Sequence, residues 1–185
     1  MLYPFSEYFA NKIPTITKNL LNNNLNLYKL SECAQEIELD KDAMTCSAST
    51  EYGIQNVYPC INAINKDPSN SWVTNGEPVG AWIKISLDKT YRVTRMKLRH
   101  RAKGAATEKF KGIKIEFSDG AGVDHDLEDT MNMNEIPLTS SHVTDFVKIT
   151  STSHIPHPWG KGHNGNNGFS DIRIFGCVEG KISII

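Results

Sequence analysis

Residues 80–101 read GAWIKISLDKTYRVTRMKLRHR, and their spacing sets the fold class. Ile83, Ile85 and Leu87 alternate with Lys84, Ser86 and Asp88; Val93, Met96 and Leu98 then follow, interleaved with Thr94, Arg95 and Lys97. Successive side chains of an extended chain point to opposite faces, so a period of two gives a strand with one apolar and one wet face. The same pattern recurs on either side. Ile113, Ile115 and Phe117 enclose Lys114 and Glu116, Val147 and Ile149 flank Lys148, and Ile172 and Ile174 flank Arg173. Each set can bury one face in a shared core.

Turn chemistry separates these runs: Asp67-Pro68-Ser69-Asn70, Asn75-Gly76, Ser118-Asp119-Gly120-Ala121-Gly122, and a long Gly- and Asn-rich stretch from Pro156 to Gly168. No strong helical pattern alternates with the strands, which disfavours a doubly wound α/β fold and favours an antiparallel sandwich or barrel. Residues 1–32 have a different texture, Asn- and Leu-rich, and read as an N-terminal extension or linker. The domain is expected over 33–177, with 178–185 as a C-terminal tail.

At 185 residues the chain suits one domain with a substantial core. Its 20 Lys and Arg nearly balance its 21 Asp and Glu, so no field steers it towards nucleic acid or an anionic membrane. No run is long and apolar enough for a membrane helix, and the N-terminus lacks the basic start and unbroken apolar stretch of a secretory signal. Four cysteines, Cys33, Cys46, Cys60 and Cys177, form an even set that admits three pairings or buried free thiols. No CxxC pair is present, which leaves a zinc knuckle little support; disulfides are the favoured reading, and with them an oxidising compartment.

The order of the pieces resembles the discoidin, or coagulation factor 5/8 type C, superfamily of galactose-binding-like domains and its carbohydrate-binding-module relatives. The matching text is DAMTCSASTEYG (42–53), NAINKDPSNSWVTNG (62–76), residues 80–101, FKGIKIEFSDG (110–120), TDFVKITS (144–151) and NGFSDIRIFGC (167–177). The resemblance implies an all-β, eight-stranded jelly-roll β-sandwich whose loops at one end bind ligand, usually a glycan or another cell-surface component. It also implies that the first and last strands meet, which makes Cys33–Cys177 with Cys46–Cys60 the expected pairing and Cys46–Cys177 the main alternative. An extracellular or cell-surface location goes with it.

Several relatives hold a structural calcium at the loop corresponding to 62–72. Here Asn62, Asn65, Asp67, Asn70 and Ser71 supply oxygens, and Asp171 in the last strand would complete the set. The relatives' Asp-Gly stands here as Asn65-Lys66, and an Asx/Ser turn that needs no ion is the alternative.

The segment HIPHPWGKGHNGNNGF (154–169) gathers His157, Trp159, His163, Asn167 and Phe169 in a long loop before the last strand. An aromatic face that stacks on sugar C–H groups, beside fixed polar groups for hydroxyls, is what glycan recognition needs. Trp159, between Pro158 and Gly160, is the surface candidate, with Trp159 or Phe169 as simple core the alternative, whereas Trp72 and Trp82 sit among strand residues and read as core. Arg99, His100 and Arg101 end a strand where carbohydrate-binding relatives place sugar-contacting Arg or His, and Asn75 lies on the neighbouring turn. Arg101 is followed by Ala102 and Lys103, so the Arg-x-Asp of fucose-binding F-type lectins is missing. A zinc site on His154, His157 and His163, with a small metal-dependent hydrolase built on it, is a minor alternative. No GxSxG, HExxH, phosphate-binding loop or dinucleotide fingerprint is present. The expectation is therefore a non-catalytic lectin-like or cell-adhesion module for glycans or glycoproteins, with a protein-protein interaction module of a larger assembly as the alternative.

Overall fold

The computed structural model describes residues 33, 35–53, 57–101, 108–155 and 165–179. The chain divides into two compact units, Met1–Ala34 and Gln35–Ile185. The extension read over residues 1–32 lies outside the described residues.

Within the second unit the described residues form eight strands: β1 (Ile37–Glu38), β2 (Thr45–Ala48), β3 (Trp72–Val73), β4 (Trp82–His100), β5 (Phe110–Phe117), β6 (Gly122–Asp126), β7 (Asn134–His154) and β8 (Gly168–Val178). Short 3₁₀ turns lie at Lys41–Ala43 and Cys60–Ala63. All pairings are antiparallel, in the order β1-β8-β4-β7-β5-β6, with β2 added on β4 and β3 on β8. The all-β expectation holds.

The stretch 80–101 contributes the single long strand β4. Register shifts between Ser86 and Tyr91 and between Val93 and Arg95 bend it, with Asp88, Lys89 and Thr90 exposed at the first bend. Before the bend β4 pairs with β2 and the far part of β7; after it, with β8 and the near part of β7. Long strands that bend at irregularities are how a sandwich turns its corners. Pro137 sits opposite Arg95 at the second irregularity, where a residue without an N–H can be accommodated.

The apolar faces go inward as the period demands. Ile83, Ile85, Val93, Met96, Leu98, Ile113, Ile115, Phe117, Val147, Ile149, Ile172 and Ile174 are all buried. Each such side chain contributes roughly 1.5–3 kcal/mol by leaving water. Trp82 departs from the expectation: it is half-buried, with the Lys148 ammonium 5.4 Å from its ring centroid. Trp72 is core, its ring 6.1 Å from that of Phe110 and 6.2 Å from that of Phe169.

β8 departs from simple alternation, because Gly168 through Ile172 are buried on both faces. β3 approaches so closely that a Cβ on Gly168 would lie 1.8 Å from the Trp72 carbonyl oxygen. Cys46 on β2 is bridged to Cys60, with Cα atoms 6.0 Å apart, tying the 3₁₀ turn before the 62–71 loop to the sheet. Cys33 and Cys177 are disulfide-bonded as well. No cysteine is free, which removes both the free-thiol reading and the Cys46–Cys177 alternative.

Candidate functional site

Four segments meet beyond the buried cluster of Trp72, Phe110 and Phe169: 49–53 with Tyr58, 74–77 after β3, Arg101 with Glu108 between β4 and β5, and 165–167 before β8. Trp72 organises the first of them. Its indole Nε1–H donates to the Thr50 carbonyl at 3.0 Å, and the Tyr52 N–H donates to the Val73 carbonyl at 2.7 Å. The Thr50 hydroxyl donates to Glu77 Oε2 at 3.2 Å and accepts from the Asn75 N–H at 3.2 Å. Gly76, at φ 76°, takes the left-handed conformation that this turn requires, and its N–H donates to Asn166 Oδ1 at 3.1 Å. The Thr74 hydroxyl and N–H reach the carbonyls of Gly165 and Asn167 at 3.1 and 2.8 Å. The loops are therefore cross-braced by the chain's own hydrogen bonds.

Arg101 is the charged centre of this end. Its Nη1 donates to Glu108 Oε2 at 2.7 Å and to the Asn166 carbonyl at 2.6 Å, and its own N–H donates to the Gly168 carbonyl at 3.0 Å. The side chain is only 11% exposed, and the guanidinium carbon lies 6.0 Å from the Tyr58 ring centroid. Tyr58 in turn lies 6.0 Å from Tyr52, which is 41% exposed. A fixed guanidinium and carboxylate beside two tyrosine rings and the amides of Asn75 and Asn166 offers stacking surface and hydroxyl partners together.

The sequence-predicted residues divide. Asn75 is exposed at this end and Arg101 is at its centre. His157, Trp159 and His163 lie outside the described residues.

Three expectations are corrected by burial. His100 is fully buried, stacked on Phe169 with its Nε2 3.2 Å from the Glu128 carbonyl oxygen. Burial, followed by the nearby Lys109 charge, lowers its pKa and outweighs the opposing Glu128 carbonyl, so it is a neutral core histidine. Phe169 is packed between Trp72 and Phe110. Asn167 is also buried, contributing its carbonyl to Thr74 while its side-chain amide has no partner among the described residues. Arg99 stands opposite Asp171 in the β4–β8 register, half-buried. Tyr52, Tyr58, Glu77, Glu108 and Asn166 were not singled out from sequence. The only local hint was two tyrosines in EYGIQNVYPC, a stretch without alternation and closed by a disulfide cysteine.

The residues expected to hold calcium are engaged by the protein itself. Asn62 Oδ1 accepts from Asn65 Nδ2 at 3.4 Å, Asn65 Oδ1 from the Asp67 N–H at 3.0 Å, and the Ser71 carbonyl from Asn62 Nδ2 at 3.2 Å. The Asp67 carboxylate accepts from the Ser69 N–H and from Asn70 Nδ2, both at 2.9 Å. Asp171 accepts from Lys41 Nζ at 2.5 Å on one oxygen and from Arg173 Nε and Nη2 at 3.0 Å on the other. Burial pushes the Asp171 carboxyl up, but hydrogen bonds from Lys41 and Arg173 outweigh it and hold its pKa below the usual value. Calcium takes roughly six to eight oxygens, and Asp171, the one buried carboxylate of the expected set, already accepts from two of the chain's own cations.

The family profile of the F5/8 type C domain matches residues 43–170. No curated protein sequence matches the chain. Among solved structures, the chain is similar to the family 32 carbohydrate-binding module of Clostridium perfringens NanJ in complex with galactose, at 18% identity and a TM-score of 0.63 over 76% of this chain and 99% of that one. A second C. perfringens module, in complex with GalNAc-β-1,3-galactose, is similar at 15% identity and a TM-score of 0.61, over 75% and 99% of the two chains. The fucolectin of striped bass serum is similar at 13% identity and a TM-score of 0.59, over 76% of this chain and 49% of that one.

Proposed function

The chain belongs to the F5/8 type C domain family, and on that premise we propose that it is a non-catalytic carbohydrate-binding module that takes a galactose-type glycan at the end built by Tyr52, Tyr58, Asn75, Arg101 and Asn166. The observation that carries the reading is the Arg101 clamp. Its guanidinium is held between Glu108 and the Asn166 carbonyl beside the Tyr58 ring, so the chain's own contacts orient charge and stacking surface. Such preorganisation lowers the ordering cost that otherwise weakens sugar binding. The galactose and GalNAc-galactose bound by the similar modules support the sugar class. Trp159 stays a proposed stacking partner on its sequence context alone.

The disulfide-bonded cysteines favour an oxidising, extracellular or cell-surface setting over a cytosolic assembly. A glycan array with wild-type protein, followed by calorimetry on the best ligand, tests both class and site. Tyr58→Ala and Trp159→Ala should each weaken binding by about tenfold, or roughly 1.4 kcal/mol. Binding unchanged by Tyr58→Ala sinks the site, and an array with no bound glycan sinks the class.

A further inference from the structure

The 62–71 turn, the 3₁₀ turn at Lys41–Ala43 and β8 are joined by one buried cation that belongs to the chain. Lys41 Nζ donates to the Asn65 carbonyl at 3.2 Å and to Asp171 Oδ1 at 2.5 Å, and the two side chains of the ion pair are 9% and 4% exposed. Asp40 caps the 3₁₀ turn by accepting from the Asp42 N–H at 3.1 Å, fixing the backbone from which Lys41 reaches in. Outside it, Lys66 pairs with Asp42 and lies 3.7 Å from Asp40.

We infer that Lys41 is a tethered ammonium that serves as the structural cation of this site, so that the unit closes the 62–71 turn onto β8 without calcium. A lysine ammonium is a compact charge with three donors, able to satisfy converging oxygens from separate segments as a bound ion does. The charge around it supports this role. The adjoining cavity, about 500 Å³, is lined by three acidic residues, Glu38, Asp40 and Asp171, and by three basic ones, Lys41, Lys66 and Arg173. That lining carries no excess of negative charge to draw in a divalent ion. Asp171 is the one buried carboxylate of the expected ligand set, and it is bonded on both oxygens. The cation is thus part of the sequence, and its occupancy does not follow the calcium concentration of the surroundings.

The test is thermal unfolding of the full, oxidised chain in EDTA and in millimolar calcium, a readout independent of glycan binding. The wild-type midpoints should agree within about 1 °C, whereas a structural calcium at a hundredfold excess over its dissociation constant would raise the midpoint by roughly 5 °C or more. Lys41→Met leaves Asp171 without one of its two cations and should lower the midpoint by roughly 6 °C or more in both media. Lys41→Arg, which keeps the charge, should recover part of that loss. A calcium-dependent midpoint in the wild type overturns the inference, as does a Lys41→Met protein as stable as wild type. The wild-type comparison stands even if the Met variant fails to fold.

Discussion

Gly168→Ala is the substitution through which the fold and the candidate site are tested together. The added Cβ would lie 1.8 Å from the Trp72 carbonyl oxygen, 2.9 Å from the Trp72 carbonyl carbon and 3.0 Å from the Val73 Cα. All three contacts are backbone atoms, so no side-chain rotation relieves them, and β3 must separate from β8. Overpacking of this kind costs roughly 1–3 kcal/mol. The shift also strains the bonds that brace the loop end: Tyr52 N–H to the Val73 carbonyl, Thr74 N–H to the Asn167 carbonyl and Arg101 N–H to the Gly168 carbonyl. At about 1 kcal/mol each, partial loss of these brings the expected destabilisation to about 3–5 kcal/mol. For a chain of this size that lowers the midpoint by roughly 6–20 °C. Circular dichroism melts would measure it, with Gly122→Ala as the control, because a Cβ there meets the flexible end of Lys114 at 3.3 Å and should shift the midpoint by no more than about 2 °C. A Gly168→Ala protein that melts with wild type would refute the close approach of β3 to β8, and with it the bracing of the site.

Two further outcomes follow from the buried groups. His100 has a pKa lowered below the ordinary 6.5 by burial, so the unfolded chain binds more protons than the folded one. Its contribution to stability is complete above pH 6.5 and is lost as pH falls below that value, so stability between pH 7 and 5 should fall less steeply in His100→Gln than in wild type, as urea titrations at each pH would show. Equal slopes would remove His100 as the cause. Breaking the Cys46–Cys60 bridge with paired Ser substitutions opens a loop with a sequence separation of 14 and should cost about 3 kcal/mol, read by denaturant unfolding under oxidising conditions. A loss below about 1 kcal/mol would show that the bridge does not restrain the unfolded chain as its span suggests.

The alternation in residues 83–98 was legible because burial of one sheet face is written residue by residue, and the buried Ile, Val, Met and Leu of β4 follow it. The loop end was less legible. The resemblance pointed to Arg101, which lies at this end, but it also carried His100, and the reading of the 154–169 loop carried Phe169, both of which the fold turns inward. A residue near a strand end has no local mark of the face it will show. Tyr58, Glu108 and Asn166 come from three segments that are distant in sequence and meet only when the loops close.

By itself the sequence determined the period-two strands, the all-β class, the family and an even set of cysteines, because each depends on local spacing or on the order of short segments. Tertiary structure alone decided that the 80–101 stretch bends as a single strand, that His100 belongs to the core, and that Asp171 meets Lys41. Those outcomes depend on which groups converge from far along the chain, and the strength of an ion pair or a steric contact is set by distances that sequence spacing does not encode.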